Sequence, residues 1–221
     1  EQKARTMLNT SRALLLFGLL GGSLAHAMDY RIETVTEGLE HPWSLAFLPD
    51  GRMLVTERVG RLRIIEQDGS LNPQPVGGVP EGFVAAQAGL MEVLLDPEFA
   101  SNQQLYLSYA YGTAEANNTR LTKARLVDGQ LQDVQVLFSA QPAKAGAAHY
   151  GGRMAWLPDN TLVLTLGDGF DLREQAQDPS NHIGKIVRLN RDGSIPKDNP
   201  LVGQAGAAAE IYSLGHRNVQ G

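Results

Sequence analysis

A unit of short strands that recurs along this chain constrains its fold more than any other feature. The first copy runs through residues 43–51 (WSLAFLPDG), 53–56 (MLVT), 62–65 (LRII) and 68–71 (DGSL). The second runs through 94–99 (LLDPEF), 105–109 (LYLSY), 121–126 (LTKARL) and 128–131 (DGQL). The third runs through 154–160 (MAWLPDN), 161–166 (TLVLTL), 185–189 (KIVRL) and 192–195 (DGSI). Asp-Gly turns recur about every sixty residues, and long insertions are expected between the second and third strands of copies two and three. Short apolar runs bounded by Gly, Asp, Asn and Pro are strand signals. No stretch after residue 30 carries a long helical apolar period.

A repeated meander of three to four strands is too small to bury both of its faces alone. Stacking such units around an axis solves this, so the repeat predicts an all-β propeller of four-stranded blades. Three copies are visible, and residues 210–214 (EIYSL) read as the first strand of a fourth. Closed propellers take about four to eight blades. The chain therefore reads as part of a longer propeller, with open faces and edges if it stood alone. A β-sandwich is the competing architecture, and the repeat disfavours it.

Residues 1–27 read as a secretory signal. Arg12 precedes the apolar run at 13–20 (ALLLFGLL), and Ala25-His26-Ala27 is a small-x-small cleavage site. The run is too short to span a bilayer comfortably. Met7 reads as the natural start and Met28 as the mature one, which predicts a periplasmic bacterial protein with no stable membrane span. The formal net charge is -5 and no basic block follows the signal, which argues against nucleic acid as a partner. The chain has no cysteine, so disulfides, cysteine zinc sites and cysteine nucleophiles are excluded.

Nucleotide loops (G-x-G-x-x-G and Walker type), H-E-x-x-H and G-x-S-x-G are all absent. What remains are polar clusters at blade junctions: 87–91 (QAGLM), 149–153 (HYGGR), 166–169 (LGDG) and 215–221 (GHRNVQG). Gln87 and His149 sit at equivalent points of successive copies. Equivalent points of propeller blades lie around one end of the axis, so residues distant in sequence converge there. An imidazole titrates near neutrality, which makes His149 the candidate base. Asp168 is a candidate for orienting it, although a carboxylate between two glycines also suits a plain turn. Arg217 and Asn218 offer adjacent guanidinium and amide donors suited to a ligand rich in oxygen. Asp168 and Asp171 lack the oxygen density of a calcium loop, and no residue is assigned to a metal.

This ordered set resembles the soluble quinoprotein glucose/sorbosone dehydrogenase family, and most closely its periplasmic aldose sugar dehydrogenases. The opening His41-Pro42-Trp43 and residues 48–51 (LPDG) belong to the same likeness, which runs from about residue 30 to the end. It covers the N-terminal half of that family's six-bladed propeller. The resemblance implies oxidation of aldose sugars to lactones with pyrroloquinoline quinone (PQQ) and calcium, and an external electron acceptor. It implies that His149 is the general base, that Asp168 orients it, and that Arg217 stabilises charge on the quinone. Gln87, His149, Arg217 and Asn218 become cofactor contacts. The remaining cofactor residues and calcium ligands lie in later blades, so this polypeptide alone is expected to be inactive. Two other functions compete: a calcium-dependent propeller lactonase, and a non-catalytic propeller that binds sugars or proteins.

Overall fold

A computed structural model describes residues 30–221. The signal expected over residues 1–27 lies outside them. All the strands fall within Thr34–Gly221, which forms one unit. They make three antiparallel sheets. The first sheet is β1 (Pro42–Phe47), β2 (Met53–Glu57) and β3 (Arg61–Ile65). The second is β4 (Leu90–Leu95), β5 (Gln104–Gly112), β6 (Asn117–Val127) and β7 (Gln130–Ser139). The third is β8 (Gly151–Trp156), β9 (Leu162–Leu166), β10 (Lys185–Leu189) and β11 (Ile211–Leu214). The only helical pieces among the described residues are α1 (Phe99–Asn102) and a 3-10 turn, Arg173–Gln177. Each sheet is an up-and-down meander, as a blade requires.

Strand β5 of the second sheet is buried on both faces. Leu105 and Leu107 of β5 pack with Leu54, Leu62 and Ile64 of the first sheet. Tyr106 between them points the other way and packs with Leu121, Leu162, Leu164 and Val187 on the side of the third. This alternation follows from the period-2 geometry of a strand. It explains why LYLSY is apolar almost throughout, where a sheet with one wet face would alternate. On β1, Ala46 joins the core, while Leu45 and Phe47 on the opposite face are exposed.

A hydroxyl device links each sheet to the chain segment that follows it. The inner strands β1, β4 and β8 each carry a register shift near their start. In each, a backbone N–H freed by the shift donates to a hydroxyl on the second strand: Ser44 to Thr56, Glu92 to Ser108 and Arg153 to Thr165. Each hydroxyl then donates to a carbonyl further along the chain. Thr56 reaches Met91, Ser108 reaches Gly152 at 2.6 Å, and Thr165 reaches Val219 at 2.9 Å. Ser108 is fully buried. Ser108→Ala leaves one N–H and one carbonyl unpaired, so it is expected to destabilise the fold by about 1–3 kcal/mol. Urea unfolding reads this directly, and an unchanged midpoint would contradict the bridging role.

Two expectations are corrected. Residues 210–214 do not open a fourth blade: β11 pairs antiparallel with β10, through Lys185↔Leu214, as the outer strand of the third sheet. The bridge from Thr165 instead puts Val219 in the place that Met91 and Gly152 hold at the inner edges of sheets two and three. The extra residues of copy two form no insertion loop; they lengthen β5 and β6 into one hairpin. Polar Asn117 and Thr119 are buried there because their side chains donate to loop carbonyls, Asn117 to Thr113 and Gly146, and Thr119 to Tyr150. The insertion of copy three does exist, between β9 and β10.

Candidate active site

His149 ends the loop that leads into β8 and adopts φ 51°, a left-handed conformation uncommon for a residue with a side chain. Several contacts hold it there. Its N–H donates to Gln87 Oε1 at 3.0 Å, and its carbonyl accepts from Gly169 at 3.3 Å. Gln87 in turn donates its own N–H to the Ala147 carbonyl. The approach to β4 is thus stitched to the approach to β8, which is how equivalent points of two successive copies meet.

The ring is fixed from the other side. His149 Nδ1 lies 2.7 Å from Asp168 Oδ1. A carboxylate can only accept, so Nδ1 carries the proton, and in the neutral ring Nε2 keeps its lone pair. Nε2 has no partner among the described residues. The His149 side chain is 12% exposed and that of Asp168 2%. Asp168 is itself held by the Phe170 N–H, which donates to Oδ1 at 2.8 Å, and by its own N–H, which donates to the Arg217 carbonyl. An oriented, buried acceptor behind a histidine with one free nitrogen can take a proton from a substrate hydroxyl.

The other expected residues converge here by different routes. Asn218 Oδ1 accepts the Gly151 N–H at 3.0 Å, at the first residue of β8. Gln87 and Asn218 both spend their oxygens on backbone, which leaves each an amide NH2 without a partner among the described residues. Arg217 is exposed and has no carboxylate partner among the described residues. Its guanidinium carbon lies 5.6 Å from the centre of the Phe170 ring. Arg217 therefore touches the His149–Asp168 pair through its carbonyl and through Phe170, and not through a direct ion pair.

Three further residues at the site have no role assigned from the sequence. Lys144 is buried, with Nζ 3.9 Å from the Tyr150 ring centre and 3.4 Å from Asn117 Oδ1. Burial pushes its amine down to about 8, while the charge of nearby Asp168 pulls it back up. Tyr150 is buried under it, and burial pushes the phenol up to about 12. Phe170 lies edge to face with His149, ring centres 5.1 Å apart. A left-handed position occupied by an aromatic gives no sequence signal, and neither does a lysine buried by tertiary packing.

No group of three or more His, Cys, Asp or Glu that could hold a metal occurs among the described residues. A cleft of about 560 Å³ shares no residue with the His149 cluster. It is lined by Leu48, Ile64, Phe99 and Leu126 among others.

The model of the family described as Glucose / Sorbosone dehydrogenase matches residues 39–221. The chain belongs to that family. The aldose sugar dehydrogenase YliI of Escherichia coli (strain K12) is 39% identical over an alignment of 194 positions that covers 86% of this chain and 52% of that protein. The quinoprotein glucose dehydrogenase B of Acinetobacter calcoaceticus is 30% identical over an alignment of 228 positions that covers 89% of this chain and 46% of that protein. The solved PQQ-bound form of an aldose sugar dehydrogenase from Streptomyces coelicolor superposes with a TM-score of 0.72 at 30% identity. It matches 85% of this chain and 54% of that one. The chain thus spans about half the length of the relatives it matches. The three sheets are blades of the propeller these sugar dehydrogenases share.

Proposed function

We propose that this chain is part of an exported, PQQ-dependent aldose dehydrogenase that oxidises the anomeric carbon of the sugar to the lactone. The observation that carries the reading is the His149–Asp168 pair with Nε2 left without a partner among the described residues. His149 Nε2 removes the proton of the anomeric hydroxyl. The Nδ1–H bond to Asp168 holds the ring in place and stabilises the imidazolium that forms. With that proton gone, the anomeric C–H bond breaks and its electron pair leaves as hydride.

The residues present fit a flat quinone that carries carboxylates. Gln87 and Asn218 contribute amide donors unpartnered among the described residues, and Arg217 contributes an exposed guanidinium. His149, Gln87, Arg217 and Asn218 would hold it, and Arg217 would balance negative charge. When bound, PQQ supplies the two-electron acceptor; that chemistry belongs to the cofactor. No residue of the cluster is assigned to calcium, whose ligands the family resemblance places in later blades. Export to the periplasm, an external electron acceptor and inactivity of the 221-residue chain on its own complete the proposal.

The test is reconstitution of the full-length protein with PQQ and calcium, assayed with aldoses and a dye acceptor. Turnover is expected only with PQQ present. Dye reduction at the same rate without it would refute the cofactor assignment.

A further inference from the structure

Phe170 is the least explained side chain at the site. It is bulky, yet its backbone φ is 72°, where a non-glycine residue carries a conformational cost. It is 52% exposed, so core packing does not account for it. Its neighbour Gly169, at φ 68°, shows that the turn itself suits glycine. The turn is nonetheless firmly set by the bond from the Phe170 N–H to Asp168 Oδ1 at 2.8 Å. That bond ties the ring to the reacting pair: His149, also left-handed at φ 51°, meets it edge to face at 5.1 Å. The Arg217 guanidinium carbon lies 5.6 Å from its centre. An exposed aromatic ring is thus held in a costly conformation beside the candidate base and the exposed Arg217.

From this we infer that Phe170 is a specificity-determining platform for the apolar face of the aldose ring. The inference rests on the proposed function and deepens it. A pyranose whose hydroxyls are equatorial presents C–H bonds on its faces, and an aromatic ring covers such a face well. An axial hydroxyl on the stacked face would lose its water against carbon without gaining a partner, which costs binding. The platform thus rewards sugars with flat faces and penalises axial epimers. The polar donors around it, Arg217, Gln87 and Asn218, are left for oxygen atoms.

Phe170→Gly and Phe170→Trp are compared with wild type in the full-length, PQQ-loaded protein. For Phe170→Gly, KM for glucose is expected to rise about tenfold, with the loss falling on KM rather than kcat. The preference for glucose over galactose, its axial epimer, should shrink, and Phe170→Trp should restore it. Calorimetric binding of 1-deoxyglucose, which lacks the reacting hydroxyl, should weaken in parallel. Tm should stay level or rise in Phe170→Gly, because the backbone cost is relieved. Unchanged KM, epimer preference and 1-deoxyglucose affinity would overturn the platform while leaving the proposed function standing. So would a fall in Tm together with a loss confined to kcat, which would make Phe170 only a support for His149. A wild type that oxidises no aldose would overturn both readings.

Discussion

Asp168→Asn in the full-length enzyme is expected to lower kcat by about 10²–10⁴ while barely moving Tm. The side chains are nearly the same shape, and a single oxygen, Asp168 Oδ1, faces both the Phe170 N–H and His149 Nδ1, so an asparagine oxygen in its place keeps both bonds. The difference lies in the bond to His149 Nδ1, now 2.7 Å long. Turned the other way, the amide NH2 would donate to Nδ1, give up the Phe170 bond, place the ring proton on Nε2 and remove the lone pair proposed to take the substrate proton. An amide also lacks the charge that stabilises the imidazolium. Steady-state kinetics beside a thermal melt separate these effects. A variant with wild-type kcat would show that Asp168 is a turn residue and nothing more.

Gly167→Ala should be as damaging, through geometry. A Cβ there would sit 1.9 Å from the His149 carbonyl oxygen and 2.8 Å from the Tyr150 nitrogen, both backbone atoms that cannot swing aside. Either the end of β9 or the His149 loop must move. The expected cost is about 3 kcal/mol or more in stability. Activity should fall by about a hundredfold even in the protein that folds, because a shift near 1 Å in a reacting group has that effect. Gly203→Ala is the control: nothing lies within 4 Å of a Cβ there, so only its φ of 79° is penalised. That change should cost about 1–2 kcal/mol and leave kinetics alone. Equal effects of the two substitutions would argue against tight packing behind His149.

The repeat made most of the fold legible. The Asp-Gly turns at 68, 128 and 192 each follow the third strand of a sheet, and MLVT, LRII, LYLSY and KIVRL all lie within strands. What failed was partner choice. Residues 210–214 have the pattern of any edge strand, and nothing local says that their partner is β10, some twenty residues back. Asn117 and Thr119 look like loop residues because their partners, the Gly146 and Tyr150 carbonyls, become neighbours only in three dimensions. The site behaved similarly. Blade equivalence anticipated that Gln87 and His149 would meet, and the hydrogen bond between them shows how. Phe170 and Lys144 were invisible because their placement depends on backbone conformation and on burial by the hairpin of β5 and β6.

The most direct test of His149 as the base that initiates oxidation at the anomeric carbon uses aldose labelled with 13C at C1. The label is followed by NMR with the full-length, PQQ-loaded protein, wild type and His149→Ala. The wild type should move the C1 signal from the anomeric position to that of a lactone or its acid. The variant should do so more slowly by about 10²–10⁴. An equal rate in both proteins, or oxidation at any carbon other than C1, would contradict it.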